Sequence, residues 1–149
     1  MSIIRLTKVF SFAMAHALED YHGMCKNIHG HTYKLEVTVT GKPDQEENSP
    51  KQGMIIDFSD LKKIIEEKIV FHWDHALMLN RKVNPELLAL LQKNYERIIL
   101  VNFQPTTENM ICYIAAEIKT ILPPDIQLYS IRLKETENSY ATWFASENE

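Results

Sequence analysis

Residues 25–40 read Cys-Lys-Asn-Ile-His-Gly-His-Thr-Tyr-Lys-Leu-Glu-Val-Thr-Val-Thr. From position 29 onward, apolar or imidazole side chains alternate with polar or small ones. Because successive side chains of a strand point to opposite faces, this alternation predicts a strand with one apolar face. That face ends in two imidazoles, those of His29 and His31. Paired histidines on the buried side of a strand, four residues after Cys25, are typical of a metal site with a neighbouring thiolate.

The composition is balanced and mildly acidic. The chain has 149 residues, of which 45% are hydrophobic and 24% are charged, and its formal net charge is −4. A chain of this size buries roughly 70% of the surface that it exposes when unfolded, so residues 1–149 are expected to form a single domain. This balance is typical of a soluble protein and argues against a disordered, membrane or nucleic-acid-binding protein.

The sequence also predicts a location and the state of the cysteines. No apolar run approaches the roughly 20 residues of a membrane span, and residues 1–8 lack the apolar block of a signal peptide. We therefore expect a cytoplasmic protein without a membrane partner. In that reducing compartment Cys25 and Cys112 should stay unpaired, so each thiol needs its own explanation. Cys112 falls within an apolar helical pattern and is interpreted as a buried, inert thiol.

Two long strands are predicted in the first third of the chain. Residues 3–16 alternate in hydrophobicity, and His16 has the same parity as the apolar residues. Residues 17–28 contain small, polar and turn-forming types, which predict a connection into the second strand. That strand should run from 29 to about 40. Residues 41–53 hold two prolines and three acidic side chains and are interpreted as a solvated loop.

Apolar residues at helical spacing predict the helices in the remainder of the chain. The expected ranges are 57–70, a short helix from Pro85 to about 91, and a helix over 105–122 that Pro123-Pro124 terminates. Strands are expected at 126–135 and 139–145, and the apolar run at 98–103 is interpreted as a small buried strand. The element order predicts an α+β domain: a four-stranded antiparallel sheet with two main helices on one face.

The histidines suggest a zinc site. A catalytic zinc typically has three protein ligands and keeps its fourth position open. His29 and His31 would supply two ligands, and His16 is the best placed of the other histidines for the third, because it ends the first strand on the apolar parity. The alternative is that all three are core or turn histidines bonded to the backbone. His22 and His72 are interpreted as surface or packing residues.

Cys25 lies in a loop that must approach the metal if the histidines bind one. A nearby cation lowers the pKa of a thiol, which makes the thiolate available as a base or nucleophile. Alternatively, Cys25 is a fourth zinc ligand, which would close the site and make it structural. The spacing leaves both alternatives open.

Asp74 and His75 are a second candidate group. A carboxylate beside an imidazole can set its tautomer and raise its basicity, the usual arrangement for proton transfer. Because neighbouring residues of a strand face opposite ways, this pair requires a turn or the start of a helix.

Glu135 is a carboxylate on an otherwise apolar strand face, which it is predicted to share with Tyr129, Ile131 and Leu133. One interpretation is a strand-end charge that reaches solvent. The other is an acceptor for a cationic or amide-rich edge of a ligand, such as a guanidine-like group.

Six motifs occur in order between about residues 7 and 143. They are His16 after Phe12-Ala13-Met14-Ala15; Cys25-x3-His29-Gly30-His31; Gly53-Met54-Ile55-Ile56-Asp57-Phe58; Trp73-Asp74-His75 with Leu79-Asn80; Pro105-Thr106-Thr107-Glu108-Asn109; and Lys134-Glu135-Thr136. Together they resemble the 6-pyruvoyltetrahydropterin synthase and 6-carboxytetrahydropterin synthase family. The resemblance implies the tunnelling fold (T-fold), in which three subunits close a barrel. Two such rings would stack into a homohexamer, a dimer of trimers with active sites at subunit interfaces.

The resemblance also implies roles for individual residues. Zn²⁺ would be bound by His16, His29 and His31, and Cys25 would be the base that abstracts a proton. Asp74 and His75 would be the relay pair that donates or returns protons on the other side of the substrate. Glu135 would anchor the 2-amino and ring N–H edge of a pterin and take part in the proton relay. The pterin pocket would be lined by Thr106 and Thr107.

The implied activity is that of a lyase acting on 7,8-dihydroneopterin triphosphate. Its products would be 6-carboxy-5,6,7,8-tetrahydropterin, acetaldehyde and triphosphate, in a zinc-dependent step toward queuosine-type deazapurines. The spacing of Cys25 from His29 resembles the bacterial carboxy-forming enzymes more than the animal pyruvoyl-forming ones, in which the gap is longer. Two alternatives stay open, a 6-pyruvoyltetrahydropterin synthase and a structural zinc-binding assembly module without catalysis.

Two features depart from the family pattern. The loop at 42–52 is longer than the usual turn, and Trp73 stands where leucine is common. Neither is a proposed ligand, so the departures concern the shape of the pocket and the choice of substrate.

Overall fold

Two long strands form the centre of the sheet. In the computed structural model, which describes residues 2–148, β1 (Ile4–His16) and β2 (His29–Gly41) pair antiparallel over their whole length. The register runs from Ile4 opposite Gly41 to His16 opposite His29. Both predicted strands are thus confirmed. Met1 and Glu149, the ends of the predicted domain, lie outside the described residues.

Four further strands complete a mixed sheet with the order β4-β3-β1-β2-β5-β6. They are β3 (Ala76–Asn80), β4 (Ile98–Val101), β5 (Gln127–Lys134) and β6 (Tyr140–Phe144). β5 pairs antiparallel with β2 and β6, whereas β3 pairs parallel with both β1 and β4. The predicted four-stranded antiparallel sheet is therefore wrong. β3 is only five residues long, and its apolar run shows no alternation that would mark it as a strand.

Two helical segments cover one face of the sheet. The first consists of α1 (Phe58–Ile65), a π-helical stretch at Glu66–Val70 and a final turn, α2 (Phe71–Trp73). α3 (Pro85–Asn94) packs on a small separate cluster that includes Leu79. The second main segment is α4 (Thr107–Lys119). The prediction of two main helices on one face is confirmed, although the first helix continues past residue 70 to Trp73.

The core lies between these helices and the buried face of β1 and β2. On β2, Tyr33, Leu35, Val37 and Val39 are all 0% exposed, and the residues between them face outward. Burying one such side chain stabilises the fold by roughly 2 kcal/mol. Because the same face carries His29 and His31 at its end, hydrophobic packing fixes the direction in which these imidazoles point.

A β-bulge interrupts the pairing of β2 with β5. Thr38 lies opposite Ser130, but Val39 lies opposite Leu128, so Tyr129 is an extra residue without a partner in the ladder. Leu128 is therefore buried in place of Tyr129, which corrects the predicted alternation at this position. The guanidinium of Arg5 lies over the Tyr129 ring, with its central carbon 3.8 Å from the ring centroid, in a cation–π contact.

Two smaller features concern residues outside the core. The predicted loop at 41–53 is largely exposed, and Gly53 has φ +83°, a conformation that favours glycine. Cys112 is exposed, so its interpretation as a buried thiol is wrong. It follows Ile111, which α4 buries, and one residue turns an α-helix by about 100°, which carries Cys112 off the buried face.

No helix formed by residues 2–148 has both the length and the apolar character required to cross a bilayer.

Candidate metal centre and adjoining cavity

Three imidazoles converge at one end of the β1–β2 pair. His16 ends β1 directly opposite His29, and His31 lies two residues further along the same face of β2. One ring nitrogen from each of the three lies within 4.8 Å of the others. This cluster, which we call the histidine triad, contains the three residues predicted from the sequence. It could hold a metal ion.

Hydrogen bonds set the tautomers of two rings. His16 Nδ1 donates to the carbonyl oxygen of Pro105 at 2.6 Å, and His29 Nδ1 donates to that of Asn27 at 2.7 Å. The two Nε2 atoms, 3.1 Å apart, then carry lone pairs that point toward each other. A cation between these atoms would remove the repulsion. Such outer partners commonly orient metal-binding histidines.

The third ring has a buried nitrogen without a hydrogen-bond partner. His31 Nε2 lies 3.3 Å from Glu135 Oε1, but the contact lacks hydrogen-bond geometry. Burial, partly opposed by the bond to Pro105, lowers the pKa of His16 and favours the neutral imidazole that a metal requires. Three imidazole nitrogens that converge in this way fit a zinc ion with one open position.

A cavity of about 270 Å³ adjoins the triad. It is lined by His16, Cys25, Thr106, Thr107 and Glu135, among others. The structure therefore brings one triad member together with the predicted base, the predicted pterin anchor and both threonines. Cys25 sits in a short 3₁₀ turn, Met24–Lys26, and is partly buried.

The carboxylate of Glu135 is held from the start of α4. Thr107 Oγ1 donates to Glu135 Oε2 at 2.7 Å, while the other carboxylate oxygen faces His31. Thr106 has a structural task as well, because its hydroxyl oxygen accepts from the backbone N–H of Asn109 and caps α4. The carboxylate therefore lies in the cavity as an acceptor that can receive N–H groups of a ligand.

Asp74 and His75 form a pair in a turn between α2 and β3. His75 has φ 61°, and its Nδ1 lies 3.0 Å from Asp74 Oδ2. Burial alone would raise the pKa of Asp74, but the N–H of Ala13, the neighbouring His75 and the charge of Arg97 together lower it. Asp74 thus stays ionised and can orient the imidazole of His75.

This pair lies away from Cys25 in the single chain. His75 lines a groove of about 440 Å³ together with Ala13, Ala15, Gly30 and the triad member His31. Within the described residues of one chain, Asp74 and His75 therefore do not line the cavity that contains Cys25 and Glu135. His22 and His72 are exposed.

Two residues of this region were not predicted from the sequence. The Pro105 carbonyl sets the tautomer of His16, and no sequence pattern marks it because every residue has a carbonyl group. Arg97 donates from Nε to the Asp74 carbonyl at 2.8 Å and from Nη2 to those of Phe71 and His72. It thereby caps the helix that precedes the Asp74–His75 turn.

The fold and site define an α+β protein with a candidate metal centre beside a cavity of small-molecule size. The family model described as 6-pyruvoyl tetrahydropterin synthase matches residues 5–146. The chain therefore belongs to the 6-pyruvoyl tetrahydropterin synthase family, a family of enzymes, and the resemblance inferred from the six motifs is confirmed.

Relatives in this family carry two different names. The chain is 37% identical to the 6-carboxy-5,6,7,8-tetrahydropterin synthase of Haemophilus influenzae, over 95% of this chain and 99% of that protein. It is 32% identical to the 6-pyruvoyl tetrahydrobiopterin synthase of Poecilia reticulata, over 93% of this chain and 88% of that protein. The solved 6-pyruvoyl tetrahydropterin synthase of Caenorhabditis elegans superposes with a TM-score of 0.69 at 26% identity, covering 97% of both chains. The chain thus has the tunnelling fold that the resemblance implied.

Proposed function

We propose that the protein converts 7,8-dihydroneopterin triphosphate and water to 6-carboxy-5,6,7,8-tetrahydropterin, acetaldehyde and triphosphate. The observation that carries this proposal is the cavity in which Cys25 and Glu135 meet His16, a member of the histidine triad. The 37% identity to a relative named for the carboxy product supports this choice, as does the short spacing between Cys25 and His29. The step would belong to queuosine-type deazapurine synthesis.

His16, His29 and His31 would hold a zinc ion through the three nitrogens that converge. Bound there, zinc would supply Lewis-acid polarisation of the hydroxyl groups on the substrate side chain, which acidifies neighbouring C–H bonds. The chain's own contribution is to orient the rings of His16 and His29, through the carbonyls of Pro105 and Asn27.

Cys25 and Glu135 would act from two sides of the same cavity. The Cys25 thiolate would take a proton from a side-chain carbon of the substrate, and proximity to a cation would keep the thiolate available. Glu135 would accept hydrogen bonds from the 2-amino and ring N–H groups of the pterin, with its carboxylate held by Thr107. Thr106 and Thr107 would line the wall against the pterin.

Asp74 and His75 would come from a neighbouring subunit. In one chain His75 lines a different groove from Cys25, and neither Asp74 nor His75 lines the Cys25 cavity, so we infer that a relay with both components needs a second copy. We propose a homohexamer, a dimer of trimers, in which each cavity is completed by the Asp74–His75 pair of an adjacent chain. The pair would return protons on the face of the substrate opposite to Cys25.

A second candidate function is that of a 6-pyruvoyltetrahydropterin synthase, which the 32% identity to the Poecilia relative supports. Analysis of the products that the purified protein forms from 7,8-dihydroneopterin triphosphate in the presence of zinc distinguishes the two candidate functions. Release of acetaldehyde in equal amount to the carboxylated pterin supports the first proposal. Formation of 6-pyruvoyltetrahydropterin without acetaldehyde rejects it in favour of the second.

A third candidate is a structural zinc module closed by Cys25 as a fourth ligand. The donor cluster found among the described residues consists of the three histidines and does not include the Cys25 sulfur. This arrangement favours an open coordination position. If the module were correct, removing the thiol would release the metal.

A further inference from the structure

Gln104 joins the Cys25 loop to the start of α4. Its side-chain oxygen accepts from the N–H of Glu19 at 3.0 Å, and its side-chain nitrogen donates to the carbonyl of Glu19 at 2.6 Å. The amide thus reproduces the paired bonds of a neighbouring strand. Both contacts span 85 residues of sequence, so they are tertiary and not local.

Glu19 lies next to the hydrogen bond that closes the loop over residues 17–28. The N–H of Leu18, adjacent to Glu19, donates to the carbonyl of Cys25 at 3.0 Å. Cys25 is therefore tied through its own backbone to the segment that Gln104 holds. A shift of Glu19 would move Leu18 and, with it, the turn that carries the thiol.

Hydrogen bonds to the N-terminus of α4 hold the backbone of Gln104. The backbone oxygen of Gln104 accepts from the N–H of Thr106 at 2.7 Å and from Asn109 Nδ2 at 3.0 Å. The next residues, Pro105 and Thr107, contact His16 and Glu135 respectively. Residues 104–107 therefore contact the loop of the proposed base, a proposed zinc ligand and the proposed pterin anchor.

We propose that Gln104 is a positioning residue for Cys25, which it holds at a fixed place across the cavity from Thr107 and Glu135. This inference rests on the proposed function, because it assigns a partner to the proposed base. Only a primary amide of this length offers a donor and an acceptor side by side, so neither methionine nor glutamate can replace both bonds. A displacement of about 1 Å at a reacting group can lower a rate by roughly 100-fold.

The test compares Gln104→Met, which keeps side-chain length and removes both bonds, with Gln104→Glu, which keeps only the acceptor. Gln92→Met, at an exposed position of α3, is the matched control. Each zinc-loaded protein is assayed for metal content, for kcat and KM with 7,8-dihydroneopterin triphosphate, and for backbone hydrogen exchange over residues 17–28.

We expect Gln104→Met to retain its zinc, to exchange about tenfold faster over 17–28, and to lose at least roughly tenfold in kcat with KM within about threefold. The control should match the wild type. Unchanged exchange or unchanged kcat in Gln104→Met overturns the inference, and so does a loss of zinc or a rise in KM equal to the fall in kcat. If Gln104→Met fails to fold, Gln104→Glu decides by the same readouts.

Failure of the proposed function would be visible separately. A wild-type protein that does not turn over the triphosphate contradicts the function, whatever the variants do. The exchange measurement alone then decides whether Gln104 holds the Cys25 loop, and unchanged exchange overturns that part of the inference.

Discussion

His16 Nε2 lies 3.1 Å from His29 Nε2, although each ring already donates its Nδ1 proton to a backbone carbonyl. Neither neutral ring has a second proton to place between these nitrogens. The contact is therefore favourable only when a cation or an added proton occupies the space. The arrangement of hydrogen bonds around the triad thus prepares it for a metal ion.

The first prediction concerns the metal. Replacing His29 by Ala should lower zinc affinity by roughly 100-fold or more, since even outer partners of a ligand contribute 10- to 100-fold. Metal analysis after dialysis against a weak chelator measures the effect. His22→Ala, at an exposed histidine, is the control and should keep one zinc per chain. Equal zinc content in both variants would contradict the assignment.

The second prediction concerns the pH dependence of the metal-free protein. Burial lowers the pKa of His16 below its ordinary value of 6.5, so the folded state disfavours the charged ring. The stability that neutral His16 contributes is present above pH 6.5 and is lost as the pH falls through the lowered pKa. The free energy of unfolding, measured by urea denaturation, should therefore decline in this range. The free energy of unfolding of His16→Gln should decline less steeply with falling pH. An identical pH dependence in the variant and the wild type would refute the prediction.

The third prediction separates a base from a ligand. Cys25→Ala should lower kcat by roughly 100- to 10,000-fold, the range for a lost general base, while the zinc content stays at one per chain. Cys112→Ser, at an exposed thiol, is the control for general effects of losing sulfur. If Cys25→Ala loses its zinc, the closed structural site is favoured instead.

The fourth prediction tests whether two chains share a site. Cys25→Ala and His75→Ala should each be inactive alone, but refolding them together in equal amounts should restore about a quarter of the wild-type activity. That fraction follows because a site between two chains has both intact residues in one arrangement of four. Mixing would restore nothing if Cys25 and His75 acted from the same chain.

The fifth prediction concerns the pterin anchor. Glu135→Gln should weaken binding of a pterin by about 10- to 100-fold, because a hydrogen bond to a charged group contributes roughly 1.5–3 kcal/mol. Fluorescence titration with the zinc-loaded protein measures the dissociation constant. Glu137→Gln, at an exposed position two residues further on, should bind as the wild type does. Equal affinities would exclude the anchor role.

The parts of the fold that were predictable are those set by local periodicity. Strand parity placed His16, His29 and His31 on one face, and the antiparallel pairing of β1 and β2 then brought them together. β3 was missed because a five-residue apolar segment carries no periodic signal and is stabilised by parallel partners distant in sequence. The position of Tyr129 was missed because a bulge depends on the partner strand.

The sequence identified candidate side chains for the site but not their arrangement in space. Cys25 was a candidate because of its spacing from His29, Glu135 because of its place on an apolar strand face, and Asp74 and His75 because they are adjacent. That His75 lines another groove depends on how the turn after α2 bonds to Ala13, which is a tertiary contact. Gln104 gave no signal, since a lone glutamine before a helix has many ordinary uses.

The π-helical stretch at Glu66–Val70 has its own consequence for Asp74 and His75. A wide turn of this kind accommodates one more residue than an α-helical turn, and one residue corresponds to about 100° of rotation. The π-helical stretch therefore rotates the residues that follow it, and this rotation sets the direction in which the chain leaves the helix. Excising a single residue there would leave the helix intact yet aim the carboxylate–imidazole pair away from the backbone of β1.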